Sequence, residues 1–277
     1  MRAKHESREF PINDKEFKEI CLLATEYAGI QLLDRGKEDM VYGRLARRLR
    51  ALKLASFHDY IALLNSAQGK SEFGHFINAL TTNLTAFFRE NHHFEHLASV
   101  VLPKLIQRNA NTKRIRIWSA GCSSGEEPYS IAMTVAETVA KDWDVKILAT
   151  DLDTNMVEHG QRGVYAQSRL SGISQARLRR WMMKGRSGDG RVKEGLRQMI
   201  HFRQLNLLHD WPMQGPLDVI FCRNVIIYFD NETKEKLAKR YAQLLHEDGT
   251  LFIGHSETLF KVSDAFSLIG KTIYAKA

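Results

Sequence analysis

Across residues 1–80 the apolar positions recur at three- and four-residue steps, the spacing that lines side chains along one face of a helix. Asp14 to Gly29 reads as a helix capped by Asp14 and stopped by Gly29, with Phe17, Ile20, Cys21, Ala24 and Ala28 in register. A second is expected from about Lys37 to Lys53, carrying Val41, Leu45, Leu49 and Leu52. Ser56-Phe57-His58-Asp59 has capping-box character before Tyr60, Ile61, Leu63 and Leu64, and Ser71 opens a further pattern through Phe73, Phe76, Ile77 and Leu80. No strand pattern interrupts this stretch. An all-helical domain is expected over 1–80.

Residues 81–91 read as a linker, because Asn and Thr favour turns while Phe87 and Phe88 can pin the segment to a core. A helix follows through Leu97, Val101, Leu105 and Ile106. From Ile115 the pattern changes to short β-branched and aromatic runs alternating with helical ones. The run at Ile115–Trp118 breaks into Gly121-Cys122-Ser123-Ser124-Gly125, and a helix opens at Glu126-Glu127-Pro128 and continues from Tyr129 to Ala140. Val145–Thr150 is a second strand ending in Asp151-Leu152-Asp153. Ile200–Gln204 and Leu217–Cys222 are further strands, followed by a helix at Lys234–Leu245, a strand at Thr250–Gly254 and a closing segment at Lys271–Lys276. This rhythm predicts a parallel sheet over 92–277. It is interrupted at about 163–200, where Arg169, Arg177, Arg179, Arg180, Lys184, Arg186, Arg191, Lys193 and Arg197 crowd around Gly185–Gly190. That stretch is expected to be a small basic insertion with a helix and a hairpin.

The turn after the first strand is open to several chemistries. It matches G-x-S-x-G, which would make Ser123 a nucleophile, with Asp218 and His255 following in hydrolase order. An elbow of that kind needs strands before it, however, and the upstream region is helical. The turn lacks both the dinucleotide G-x-G-x-x-G and the P-loop Gly-Lys-Ser/Thr. A strand, a glycine turn and a helix start also form the nucleotide-handling corner of an open α/β sheet, and a plain connector remains a fourth reading. An acidic residue at a second strand end, about 25 residues beyond a glycine turn, is where such folds hold a ribose. Asp151-Leu152-Asp153 meets that description, and an ordinary helix cap would account well for Asp153 but less well for both acids.

Composition narrows the class. The 277 residues are 44% hydrophobic and 26% charged, a globular balance. No apolar run is long enough to span a bilayer and the opening MRAKHESREF has no h-region, so a soluble, cytoplasmic protein is expected. Cys21, Cys122 and Cys222 are far apart and fit neither a disulfide framework nor a zinc site. His92-His93-Phe94-Glu95-His96 formally matches H-x-x-E-H, but no third ligand accompanies it, and no metal is expected. The net charge of +8 implies an anionic partner. Arg44, Arg47 and Arg48 fall together beside the apolar face of the second helix, either as a solvated surface or as a docking face for an acidic helix. Aromatic residues suited to base stacking are not interleaved with the basic ones, which argues against nucleic acid.

Five segments taken in order resemble the chemotaxis receptor glutamate methyltransferases: Asn83–Arg89, the SAGCSSGEEPYS turn, Ala149–Asp153, Asn206-Leu207, and Phe221–Phe229. The resemblance implies a class I methyltransferase-like (Rossmann-like) α/β sheet with an inserted β-subdomain, preceded by the helical domain. It implies S-adenosylmethionine as cofactor and methyl ester formation on glutamates of bacterial chemoreceptors. Asn83, Thr85, Arg89, Glu126, Asp151, Asn206, Leu207, Arg223 and Asn224 fall on family cofactor-contact positions, and Gly121 belongs to the turn that makes room for the cofactor. Arg89 and Tyr228 fall on positions beside the transferred methyl group. The partners implied are glutamate-rich receptor helices, which the Arg44-Arg47-Arg48 face would dock, with no nucleic acid, no membrane insertion and a monomeric enzyme. Some family members bind a receptor's C-terminal peptide through a longer glycine-bearing loop, and the shorter Gly185–Gly190 loop argues against such tethering here.

Overall fold

The computed structural model describes residues 8–33, 36–185 and 188–277, so Arg186 and Ser187 of the glycine-bearing loop, and the first seven residues, lie outside the described residues. The chain divides into two compact units, one running to Thr82 and including Tyr228–Asp230, the other Asn83–Ile227 with Asn231–Ala277.

The first unit is built from helices α1 (Asp14–Ala28), α2 (Glu38–Leu52), α3 (Phe57–Leu64) and α4 (Gly69–Leu80). The cap of α1 is Asn13 rather than Asp14. Asn13 and Glu16 exchange side-chain and backbone bonds in a full capping box, because Glu16 lies three residues beyond Asn13. Gly29 ends α1 at φ 69°, in the left-handed region. Ser56 caps α3, accepting the Asp59 N–H at 3.1 Å. Ile20, Cys21, Ala24, Leu45, Leu49, Tyr60 and Phe76 form the core. One carboxylate lies among them: buried Glu72 takes both arms of the Arg48 guanidinium at 2.9 and 2.7 Å, and the Tyr60 hydroxyl at 2.9 Å. Arg44 donates to the Leu80 and Thr81 carbonyls at the end of α4, at 2.6 and 2.9 Å, satisfying groups a helix end leaves open.

The second unit opens with α5 (His92–His96), a π-helical turn at Leu97–Val101, and α6 (Leu102–Arg108). Pro103 lies in the first turn of α6, where it offers no N–H to continue an α ladder. Then come β1 (Arg114–Ser119), α7 (Glu126–Thr138), β2 (Asp144–Asp151), α8 (Thr154–Arg162), the insertion strands β3 (Val164–Tyr165), β4 (Met182–Lys184) and β5 (Gly190–Val192), with α9 (Gln175–Trp181) ahead of β4, and α10 (Glu194–Arg197). The chain closes with β6 (Ile200–Gln204), β7 (Leu217–Cys222), α11 (Asn231–Leu244), β8 (Leu245–Ile253), β9 (Phe266–Gly270) and β10 (Ile273–Lys276).

The main sheet has the order β6-β2-β1-β7-β8-β10-β9. Its first five strands are parallel, with Ile117 level with Ile147 on one side and Val219 on the other, while β10 and β9 are antiparallel additions at one edge. Every residue of β7 is buried, as a central strand covered on both faces requires. The insertion is a separate antiparallel sheet, β3-β5-β4. Arg177 locks it to α7 by bonding Glu137, at 2.8 Å for its shortest contact, and lies over the Phe88 ring at 4.2 Å. Tyr165 of β3 meets Phe87 edge-on at 4.9 Å. The architecture is therefore a mostly parallel Rossmann-like sheet with an inserted β-subdomain, preceded by an all-helical domain.

Candidate active site

From β1 the chain passes to β2 and then β6 on one side, and later to β7 and β8 on the other. The order reverses beside β1, and the crevice outside the carboxyl ends of the strands at such a point is where open α/β sheets bind ligands. The segments that leave β1, β2, β6 and β7 there are Gly121–Gly125, Asp151–Asp153, Asn206-Leu207 and Arg223-Asn224.

The β1 turn is fixed by backbone conformation. Ser123 has φ 47° and Gly125 φ 99°, and a Cβ on Gly125 would stand 2.6 Å from the Tyr165 hydroxyl and 2.8 Å from the Gly160 Cα. At Gly121 the space a Cβ would need is held by Val225, whose Cγ2 would be 2.3 Å away. The Ser123 N–H donates to Asp151 Oδ2 at 2.7 Å, and the Asp153 N–H to Oδ1 at 3.0 Å. Burial pushes the Asp151 carboxyl up to about 6, against the pull of these two N–H groups. Each oxygen still has acceptor capacity, since a carboxylate offers about four lone-pair sites. Asp153 caps α8 by accepting the Asn155 N–H at 2.9 Å and takes the Asn83 amide at 2.8 Å. The Asn83 carbonyl receives the Ser123 hydroxyl at 3.2 Å, so the Asn83 segment is tied to both strand ends.

The two glutamates opening α7 go separate ways. Glu126 is fully buried, accepts the Ser124 hydroxyl at 2.7 Å and pairs with Arg169 from the insertion. Glu127 accepts the Ser119 hydroxyl at 2.8 Å and pairs with Arg223 at 3.0 Å; burial raises its pKa and the Arg223 charge opposes that rise. The Arg223 guanidinium, itself buried, also donates to the Arg89 carbonyl and lies 3.4 Å from Glu90. Its side chain therefore holds the backbone at Arg89. The Arg89 guanidinium donates to the Leu84 carbonyl at 2.8 Å, lies 4.0 Å from Glu90 and is about one-third exposed, at 32%. Thr85 is half-buried. Asn206 folds its side chain back to accept the Leu208 N–H at 2.9 Å, Leu207 is buried, and Asn224 adopts φ 58°. Tyr228 is half-buried and, in the helical unit, its carbonyl accepts the Gln31 N–H at 3.2 Å.

The hydrolase triad is not assembled. Asp218 lies near the start of β7, where it accepts the Arg116 N–H at 2.6 Å, at the opposite end of the parallel strands from Ser123. His255 pairs with Glu90 at 2.9 Å instead. In the His92–His96 run, His93 is fully buried, and desolvation followed by the Arg223 charge lowers its pKa to about 3. Among the described residues no group of three or more His, Cys, Asp or Glu is disposed to hold a metal ion.

Residues 15–81 match the family described as CheR methyltransferase, all-alpha domain, and residues 83–275 match CheR methyltransferase, SAM binding domain. The chain belongs to the CheR methyltransferase family. It is 45% identical to the chemotaxis protein methyltransferase of Salmonella typhimurium over 95% of this chain and 91% of that one, and 44% identical to that of Escherichia coli over the same shares. Its identity to chemotaxis protein methyltransferase 2 of Pseudomonas aeruginosa is 43%, covering 98% of this chain and 96% of the relative.

As a CheR methyltransferase the chain uses S-adenosylmethionine, and its strand ends offer a donor set that fits this cofactor. Asp151 keeps acceptor sites at which hydroxyl groups fit, Asn206 and Leu207 leave β6 next to it in the sheet, and Asn83, which opens the Asn83–Arg89 segment, is bonded to Ser123 after β1 and Asp153 after β2. Sequence reasoning missed Glu90 and Glu257, and it placed Arg169 only in the basic insertion, without its pairing to Glu126. The Gly254-x-x-Glu257 spacing directly after a strand is the only local signal for the last.

Proposed function

We propose that this enzyme methylates glutamate side chains of bacterial chemoreceptors in the cytoplasm, giving glutamate methyl esters and S-adenosylhomocysteine. The observation that carries the reading is Arg89: a partly exposed guanidinium whose backbone is held by buried Arg223, on a segment bonded to the strand ends that fit the cofactor. When bound, S-adenosylmethionine supplies a methyl group made electrophilic by its sulfonium centre.

The chain's own task is alignment. A glutamate carboxyl has an ordinary pKa of about 4.3, so it is already ionised at neutral pH and needs no strong general base. Arg89 retains donors beyond its bond to Leu84 and orients the substrate carboxylate without transferring a proton to it. Tyr228 is proposed as a second orienting group on the family resemblance. Holding reactants in a near-attack geometry can lower a barrier by about 7–11 kcal/mol. Cofactor contacts are proposed at Asn83, Thr85, Arg89, Gly121, Glu126, Asp151, Asn206, Leu207, Arg223 and Asn224. For Glu126 that contact would add to its pairing with Arg169, and for Arg223 the backbone is the available part, since its guanidinium is buried against Glu127, Glu90 and the Arg89 carbonyl. Receptor helices rich in glutamate are proposed to dock on α2, with exposed Arg47 as the available charge, because Arg44 and Arg48 are bonded within the helical unit.

The test is Arg89→Ala assayed at saturating cofactor. Its kcat should fall about 100-fold or more, the range typical of a lost orienting group, and wild-type turnover would sink the assignment.

A further inference from the structure

Glu257 lies outside every motif that carries the cofactor reading, yet its carboxylate is one of the most densely bonded groups in the sheet unit. It is 5% exposed. Oε2 accepts the N–H of Asn224 at 2.8 Å and of Gly254 at 2.5 Å, and Oε1 accepts the N–H of Ile227 at 3.2 Å. The Val225 N–H bonds to it as well. Three of these four donors belong to the loop that leaves β7, the loop carrying Asn224 and leading into Tyr228.

That loop turns sharply as it leaves β7. Asn224 has φ 58°, a left-handed conformation that asparagine adopts more readily than most residues, and the Glu257 carboxylate holds its N–H in that geometry. Gly254 permits the approach, since a Cβ there would be 2.5 Å from the Asn224 side-chain nitrogen and 2.8 Å from its backbone nitrogen. The same loop seats Val225 against Gly121, where a Cβ would meet Val225 at 2.3 Å. One buried carboxylate thus fixes the β7 loop, and through Val225 the β7 loop meets the β1 turn.

We propose that Glu257 is a positioning residue for methyl transfer: by gathering the backbone N–H groups of Asn224, Val225 and Ile227 it sets the loop that presents Asn224 to the cofactor. The role in methyl transfer rests on the function proposed above. Only a carboxylate suits the place, because it is acceptor-only, whereas a glutamine would turn an NH₂ group toward N–H donors. Burial pushes the Glu257 carboxyl above the usual range, and the N–H groups of Gly254, Asn224, Ile227 and Val225 oppose that shift.

A residue that only stabilised the fold would lower the melting temperature without changing ligand affinity at temperatures where the protein is folded. The experiment compares Glu257→Gln with Asp218→Asn, which removes another buried carboxylate at the far end of β7. Calorimetric binding of S-adenosylhomocysteine and amide hydrogen exchange over residues 222–227 are measured on both. Glu257→Gln should weaken binding about tenfold, equivalent to about 1.4 kcal/mol, and should accelerate exchange at Asn224, Val225 and Ile227. Asp218→Asn should do neither at a comparable loss of melting temperature. Affinity of Glu257→Gln within about twofold of wild type, or an equal loss in Asp218→Asn, would overturn the proposal. Should Glu257→Gln fail to fold, Glu257→Asp keeps the charge but withdraws it by one methylene, and the same two readouts apply with a smaller loss, about threefold. Neither readout needs a receptor. A chain that binds S-adenosylhomocysteine but esterifies no glutamate would refute the substrate reading and leave the Glu257 result standing.

Discussion

The proposed contact between Asp151 and the cofactor ribose predicts that cofactor affinity depends on pH in a calculable way. Burial holds its carboxyl at about 6, above the ordinary 3.8. The ionised form accepts hydroxyl donors on both oxygens, while the protonated form gives up part of that capacity, so a ribose binds the ionised form better. Between about pH 7.5 and about pH 5 the ionised fraction falls from nearly all to about one in eleven, so affinity for S-adenosylhomocysteine should drop about tenfold, or about 1.4 kcal/mol. Folding stability runs the opposite way. A carboxyl whose pKa is raised in the folded chain contributes stability below its unfolded value of 3.8, and that contribution is lost as pH rises through about 6. Titration calorimetry across this range measures the affinity directly, and Asp151→Asn isolates the residue. The variant should bind about tenfold or more weakly at neutral pH and lose the pH dependence. A flat wild-type profile, or a variant that keeps the full slope, would refute the reasoning.

Gly125→Ala should destabilise the sheet unit by about 2–4 kcal/mol in urea denaturation, combining left-handed backbone strain with overpacking against Tyr165 and Gly160; a change under about 0.5 kcal/mol would contradict the geometry. Arg47→Glu should raise the apparent KM for a receptor fragment several-fold at low salt while leaving S-adenosylhomocysteine affinity unchanged, and the reverse pattern would remove α2 as the docking face. Arg48→Glu should behave differently, costing about 3 kcal/mol of stability because buried Glu72 loses its partner, a loss that thermal unfolding would report.

Much of the fold follows from local pattern. Strands at Ile200–Gln204 and Leu217–Cys222 have the bounds the sequence predicts, the first from the alternation of Ile200 and Phe202 with polar neighbours and the second from a nearly continuous apolar run. Strand β8 begins at Leu245 rather than Thr250, since His246–Gly249 are polar and read as a turn although backbone pairing reaches Leu245. Strand β9 is not legible in the sequence: its exposed Ser267, Leu268 and Ile269 lack the in-out alternation that marks a half-buried strand. The site is less legible because its bonds are non-local. Glu127 and Arg223 are 96 positions apart, and Asn83 and Asp153 are 70 apart. Periodicity puts Arg44 and Arg48 beside an apolar face, but it cannot reveal that Glu72 and the end of α4 engage them while Arg47 stays exposed.

Esterification of a glutamate side chain leaves a bond that can itself be measured. Wild-type enzyme is incubated with methyl-labelled S-adenosylmethionine and a chemoreceptor cytoplasmic fragment, and the product is treated with mild alkali. Label should transfer to the fragment and leave it as volatile methanol, as an ester requires. Absence of transfer, or label that stays on the fragment through alkali, would contradict it.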